Sequence, residues 1–275
     1  NIFRMSAAKS YQNMEEIKIP SELKQFITAT MASFGCCAHD EAHVYRVARS
    51  ARLIAESEEG ADPRLTYIAG LLHDVLDSKL QDVSSAGSAE DQLRTLLETD
   101  KDFLTQEEIN TIFVIIKAVG YKNIIKDGYD AYKLPTEYRC VQDADLLDAI
   151  GAIGIARCFA FGGKRNRKLF GMSRFPEGCA QNISHEEYMK AQASTTDSNV
   201  DHFFDKLLTI EPLLTTKLGK SMAHERHVFM SAFLKQLDVE LADCGDESSA
   251  GMGAAVEVMD AANLCKLAQQ QQQHS

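Results

Sequence analysis

Apolar residues along most of this chain recur at three- and four-residue steps, the spacing of one face of an α-helix, and alternating strand-like runs are few. Downstream of His39-Asp40-Glu41-Ala42-His43, the residues Val44, Val47, Ala48, Ala51, Ile54 and Ala55 fall on one such face. A helix is predicted there, with His43 in its first turn. A second should begin at Asp62-Pro63, with Asp62 as the cap and Pro63, which has no N–H to satisfy, at the first helical position. It is expected to run through Ile68, Leu71 and Leu72 and to carry His73-Asp74 on its C-terminal turns. At 275 residues, 45% of them hydrophobic, the chain can bury a substantial core, and no polar linker divides its middle. The predicted fold class is all-α, a helical bundle.

His73 and Asp74 have little packing reason to stand at the end of an apolar run. An imidazole nitrogen and a carboxylate oxygen are, however, what a divalent transition metal accepts as ligands. His43 supplies a second imidazole. Val141-Gln142-Asp143-Ala144-Asp145-Leu146-Leu147-Asp148 is acidic at its start and apolar afterwards, so it reads as a helix opened by aspartates, where the dipole favours them. Gly151-x-x-Gly154 would let that same helix pack closely on a neighbour. Asp143 and Asp145 are both available as a further carboxylate ligand.

The order His43, then His73-Asp74, then an aspartate near a helix start resembles the HD superfamily of metal-dependent phosphohydrolases. Four stretches are similar to its single-domain YedJ/YpgQ-like branch: His39-Asp40-x-x-His43-Val44-x-Arg46-Val47, Leu71-Leu72-His73-Asp74, Val141 to Arg157, and His202-Phe203-Phe204-x-Lys206-Leu207-Leu208. The likeness covers roughly Ile19 to Leu241 and implies an HD-domain bundle with the metal held between facing helices. It implies His43, His73, Asp74 and Asp145 as ligands of one divalent transition metal, with Mn favoured and Fe, Ni, Co or Zn as alternatives. Asp143 is the second choice for the last ligand. Two features depart from relatives. Position 146 is Leu where the branch usually has Arg, and Ile115 to Asn123 lacks the extra histidines of two-metal members.

On a helix, residues three and four apart share a face, which would hang Asp77 near His73 and Asp74. The resemblance puts Asp77 where relatives carry an acidic residue that handles water and protons, a role suited to a hydrolase. A phosphoryl group also needs positive charge beside it. Arg46, one turn beyond His43, and Lys79, just past Asp77, are expected to share the catalytic site. Lys117, Lys122, Lys164, Arg165 and Lys206 are candidates for substrate binding. His185, His224 and His227 lack ligand-like company and are read as helix-face or capping residues.

A net charge of −11 argues against general nucleic-acid binding, which needs a broad basic face, while a small nucleotide is compatible with a few local cations. The seven cysteines form no Cys-x-x-Cys, and with Cys36 and Cys37 adjacent they are expected to be reduced thiols in a cytoplasmic protein. No run has the apolar length of a membrane span and no leader is visible, so no membrane association is expected. Residues 1–18 read as an N-terminal extension, 19–241 as the HD domain, and 242–275 as a linker, a short helix over Ala254 to Leu267 and a mobile Gln-rich tail. Self-association into a homo-oligomer is compatible with the sequence.

The expected activity is hydrolysis of a small phosphorylated compound, a nucleotide above all. Nucleoside triphosphate pyrophosphohydrolase is favoured over monophosphatase. The alternative is a non-enzymatic nucleotide sensor or scaffold on the same fold.

Overall fold

The computed structural model describes residues 17–33, 41–76, 89–126, 129–171 and 198–273. Among them every regular element is helical: α1 (Ser21–Ser33), α2 (Glu41–Ala55), α3 (Pro63–Leu72), α4 (Ala89–Thr99), α5 (Gln106–Ala118), α6 (Tyr121–Ile124), α7 (Thr136–Asp148), α8 (Gly151–Lys164), α9 (Asn199–Asp205), α10 (Lys217–Asp243) and α11 (Met252–Gln273), with short 3₁₀ turns between some of them. The chain forms two compact units. One lies within Asn1–Gly120 and Asp130–Asp145, the other within Tyr121–Tyr129 and Leu146–Ser275. No single helix among the described residues is long and apolar enough to cross a membrane.

In the first unit, α2 and α3 make the most extensive helix pair. The predicted stripe of α2 is buried: Val44, Val47, Ala48, Ala51 and Ile54 are fully covered. Ile68, Leu71 and Leu72 of α3 are covered as well. Each such aliphatic side chain contributes about 1.5–3 kcal/mol on burial. The two helices meet at small residues, and a methyl group added at Gly70 would lie 2.7 Å from the Ala48 Cα, so their backbones touch where a larger residue would hold them apart. The expected start of α3 is present, with the Asp62 side chain accepting from the Arg64 and Leu65 N–H groups at 2.7 and 3.1 Å and Pro63 opening the helix. Thr105 and Glu108 form a reciprocal cap on α5.

α7 corrects the reading of the acidic segment. The helix starts at Thr136, directly after Pro135, so Asp143 and Asp145 lie in its second half and do not open it. It ends at Asp148, and α8 is a separate helix begun by Gly151 in the left-handed region at φ 74°. The two glycines Gly151 and Gly154 therefore belong to a helix that the aspartates do not start. Within the first unit, the Gln142 side-chain carbonyl accepts from Tyr138 Oη at 3.1 Å and from the Gly120 N–H at 2.9 Å, anchoring α7.

In the second unit, α10 packs on both α8 and α11. Phe159, Phe203 and Phe233 form an aromatic cluster with ring centroids 6.1–6.3 Å apart. Arg226 donates to the Leu147 carbonyl and lies against Gly151, where a methyl group would meet its Cγ at 2.9 Å. The C-terminal helix is longer than expected. It begins at Met252, buries Met252, Ala255, Val256 and Met259, and carries the glutamine run to Gln273. Gln270 donates to the Pro212 carbonyl at 2.8 Å, so the start of the glutamine run belongs to this helix. Glutamine is a good helix former, and the run simply prolongs the helix before it.

His227 is 4% exposed on α10, with Nε2 at 2.9 Å from Asp260 and Nδ1 at 3.7 Å from Glu211; His224 pairs with Glu211 at 2.8 Å. His185 lies outside the described residues. Cys140, Cys158, Cys244 and Cys265 are free thiols.

Candidate metal centre

His43, His73, Asp74 and Asp145 meet within the first unit. His43 comes from the first turn of α2, His73 is the C-cap of α3 with Asp74 in the turn that follows, and Asp145 comes from α7. His43 Nε2 stands 3.4 Å from Asp74 and 3.7 Å from Asp145. His73 Nε2 stands 3.5 Å from Asp74 and 3.7 Å from Asp145. Ligands about 2.0–2.2 Å from a common ion lie about 3–3.5 Å from one another, so the four side chains need only a small contraction to surround one. His43, His73 and Asp145 are close enough together to hold a metal ion.

The tautomer of His73 is set by the chain itself. Its Nδ1–H donates to the Gly70 carbonyl at 2.8 Å, one helical turn back. Nε2 is thereby left for a cation: it is buried and faces Asp74 at 3.5 Å and Asp145 at 3.7 Å, beyond an ordinary hydrogen bond. A buried ring nitrogen facing two carboxylates calls for a cation between them, a metal or the imidazole's own proton, and a carbonyl that orients a histidine for a metal is a recurrent outer-shell device. The residues present therefore fit a divalent transition metal. Its absence from the coordination volume would leave a proton to do the same work. Burial alone lowers the His73 pKa, but Asp74 and Asp145 beside it prevail and push it up to about 9. Asp145 is raised by burial and lowered more strongly by the facing His73 imidazole and then by His43, for a net shift downward.

Of the other candidates, Arg46 is half-buried on α2, one turn from His43. Lys117 lies in the first unit with its ammonium 2.6 Å from Glu90. Asp143 is fully buried on α7. Lys122, Lys164, Arg165 and Lys206 belong to the second unit, where Lys122, Lys164 and Arg165 are exposed and Lys206 lies over the Tyr121 ring at 5.0 Å. Asp77 and Lys79 lie outside the described residues. The sequence reading missed Gly70, whose role shows only in its carbonyl three residues before His73. Arg167, read from the sequence as part of a basic loop, is buried just past α8, and His202 of the fourth family-like block is half-buried on α9.

Residues 41–150 match the HD domain family model. The chain is 31% identical over 238 residues to the uncharacterized protein YpgQ of Bacillus subtilis, covering 86% of this chain and all of YpgQ. The chain belongs to the HD domain family. A Lactobacillus plantarum structure superimposes with a TM-score of 0.62 at 28% identity, covering 82% of this chain and all of that one. Crystalline YpgQ in complex with ADP gives 0.58 at 30% identity, covering 79% and 97%. An HD-superfamily hydrolase from Bacillus thuringiensis gives 0.56 at 28% identity, covering 80% and 97%. The all-α fold expected from periodicity is thus the HD fold, that of metal-dependent phosphohydrolases, and its His-His-Asp cluster occupies one unit of the chain.

Proposed function

We propose that this HD domain hydrolyses phosphate bonds of nucleotides, with nucleoside triphosphates as substrates and pyrophosphate as product. The observation that carries the reading is the buried Nε2 of His73, aimed at Asp74 and Asp145 by the hydrogen bond from Nδ1 to the Gly70 carbonyl. His43, His73, Asp74 and Asp145 would hold one divalent ion; two imidazoles and two carboxylates suit Mn, Fe, Ni or Zn, and Mn is the ion proposed. When bound, such an ion supplies Lewis acidity and a water acidic enough to lose its proton near neutral pH. Asp77 is assigned the proton, in the role of general base. Arg46 and Lys79 hold the phosphate tail and the charge that grows on it during displacement. Support for a nucleotide comes from the ADP bound by YpgQ.

A second reading is a nucleotide sensor without turnover. Leu146 favours it: this side chain is 1% exposed, a core residue at the position where relatives of this branch usually have Arg. Protein purified without chelator should be analysed for metal, then loaded with Mn and incubated with a nucleotide panel while phosphate and pyrophosphate are resolved. Pyrophosphate from triphosphates is expected. Phosphate from monophosphates alone would replace the reading with a monophosphatase, and no product from any nucleotide would favour the sensor.

A further inference from the structure

The 22 residues of α11 divide into two halves by what they bury. Met252, Ala255, Val256 and Met259 are covered and fall at three- and four-residue steps on one face. Beyond Met259 the apolar burial stops: among the described side chains Asn263 alone is buried, and Leu264 is 63% exposed. The second half is held instead by polar contacts. Asp260 accepts from His227 Nε2 and from Ser231 Oγ of α10, each at 2.9 Å, and stands 3.8 Å from the Lys235 ammonium. The Asn263 amide donates to the Leu208 carbonyl at 2.6 Å, and the Gln270 amide to the Pro212 carbonyl at 2.8 Å.

The two kinds of contact do not hold equally. Apolar area returned to water finds no compensation there, whereas a hydrogen bond that opens is largely replaced by one to solvent. The Leu208 and Pro212 carbonyls can both take water as donor once the helix leaves. Asp260 makes the strongest of the polar contacts, since a carboxylate there accepts two hydrogen bonds, one of them from a nearly buried imidazole. The other ring nitrogen of His227 has no hydrogen-bond partner and stands 3.7 Å from the buried Glu211, whose second oxygen is taken by His224 Nδ1 at 2.8 Å. Asp260 is therefore the contact that decides whether the second half stays down. A detached segment on the order of ten residues is too short to remain helical by itself, so opening also frays it. The turns Leu207–Thr209 and Glu211–Leu213, on which α11 packs, lose their cover at the same time.

We propose that α11 is a strap with a fixed first half and a releasable second half: residues 252–259 stay packed while residues 260–270 lift off as a unit, with the contact of Asp260 to His227 and Ser231 as the latch. Lifting uncovers the chain from Leu207 to Leu213, and this happens without global unfolding. The test is native-state hydrogen exchange on the full-length protein, read by mass spectrometry on fragments from each half, beside limited proteolysis with trypsin. Lys266 is the one basic residue of α11, so the fragment ending there reports the second half alone. Asp260→Asn keeps the side-chain shape at a position 31% exposed, so the fold survives it. It is expected to speed exchange of residues 261–270 and cleavage after Lys266 at least about tenfold, and to change exchange of residues 253–259 less than about twofold. Ser231→Ala, which removes one of the two hydrogen bonds, should give a smaller effect on the same residues. Met259→Ala thins the apolar half and should speed both halves together, while Glu257→Gln on the exposed face should alter neither. Equal acceleration of the two halves in Asp260→Asn would show that α11 opens as one body, and no acceleration would show that Asp260 latches nothing; either result overturns the strap. Cleavage after Lys266 that occurs only as the whole protein unfolds in urea would overturn it as well.

Discussion

Gly70 and Ala48 bring two helix backbones into contact, and the Gly70 carbonyl in turn fixes His73 at 2.8 Å. Helix packing and ligand orientation thus share one residue. Gly70→Ala places a methyl group 2.7 Å from the Ala48 Cα, against backbone that has no rotamer to yield. The expected cost is about 1–3 kcal/mol of stability from overpacking. Because α3 must shift to admit it, metal content should fall together with the urea unfolding midpoint. A stable variant with full metal content would show that the close approach is not what aligns His73.

Removing a ligand tests the centre directly. Asp74→Ala withdraws the carboxylate that lies within 3.5 Å of both imidazoles, and metal retained through gel filtration should drop several-fold or more. Elemental analysis of the parent and the variant, purified side by side, measures it. Undiminished metal content would refute the assigned set.

Asp77 is assigned chemistry and not affinity. Asp77→Asn keeps the side-chain shape and removes the base, so turnover should fall about 10²-fold or more while bound metal stays level. Loss of metal and activity in parallel would instead make Asp77 a ligand.

The neutral His202 makes the protein acid-sensitive. Burial holds its imidazole down to about 3 in the folded chain, against an ordinary value of 6.5. Between those values the unfolded chain takes up a proton that the native state refuses, so this contribution is whole above about 6.5 and declines as the pH falls toward 3. The charges of Lys206 and Arg167, which add to the shift, persist throughout this window and sustain the effect. His202→Gln should therefore flatten the fall in urea midpoint between pH 7.5 and pH 4.5. An unaltered slope would mean that His202 is protonated in the native protein at the lower pH.

What the sequence disclosed depended on how local the cause was. The start of α3 was legible because Asp62 and Pro63 act within one turn of themselves, and the α2 stripe because a buried helix face has a fixed period. The family's ligand order pointed to His43, His73, Asp74 and Asp145, which the fold brings within reach of one another. The aspartates misled about α7, since an acidic start before an apolar run imitates a helix N-terminus; the true boundary signal was Pro135 before Thr136. The environments of Arg167 and His202 were not legible, although both stand in segments the sequence singled out. One lies just past α8 and the other on α9, and how far each is covered is set by tertiary packing that no spacing encodes.

The α2–α3 pair also sets an order in time. Its contacts are local in sequence, and such helix pairs form early. It carries two imidazoles and the Asp74 carboxylate, whereas Asp145 is about 70 residues further along. At a synthesis rate of about 5–20 residues per second, that delay is several seconds. The growing chain is thus expected to present an incomplete but ion-competent cradle well before α7 exists, and the arrival of Asp145 to close it.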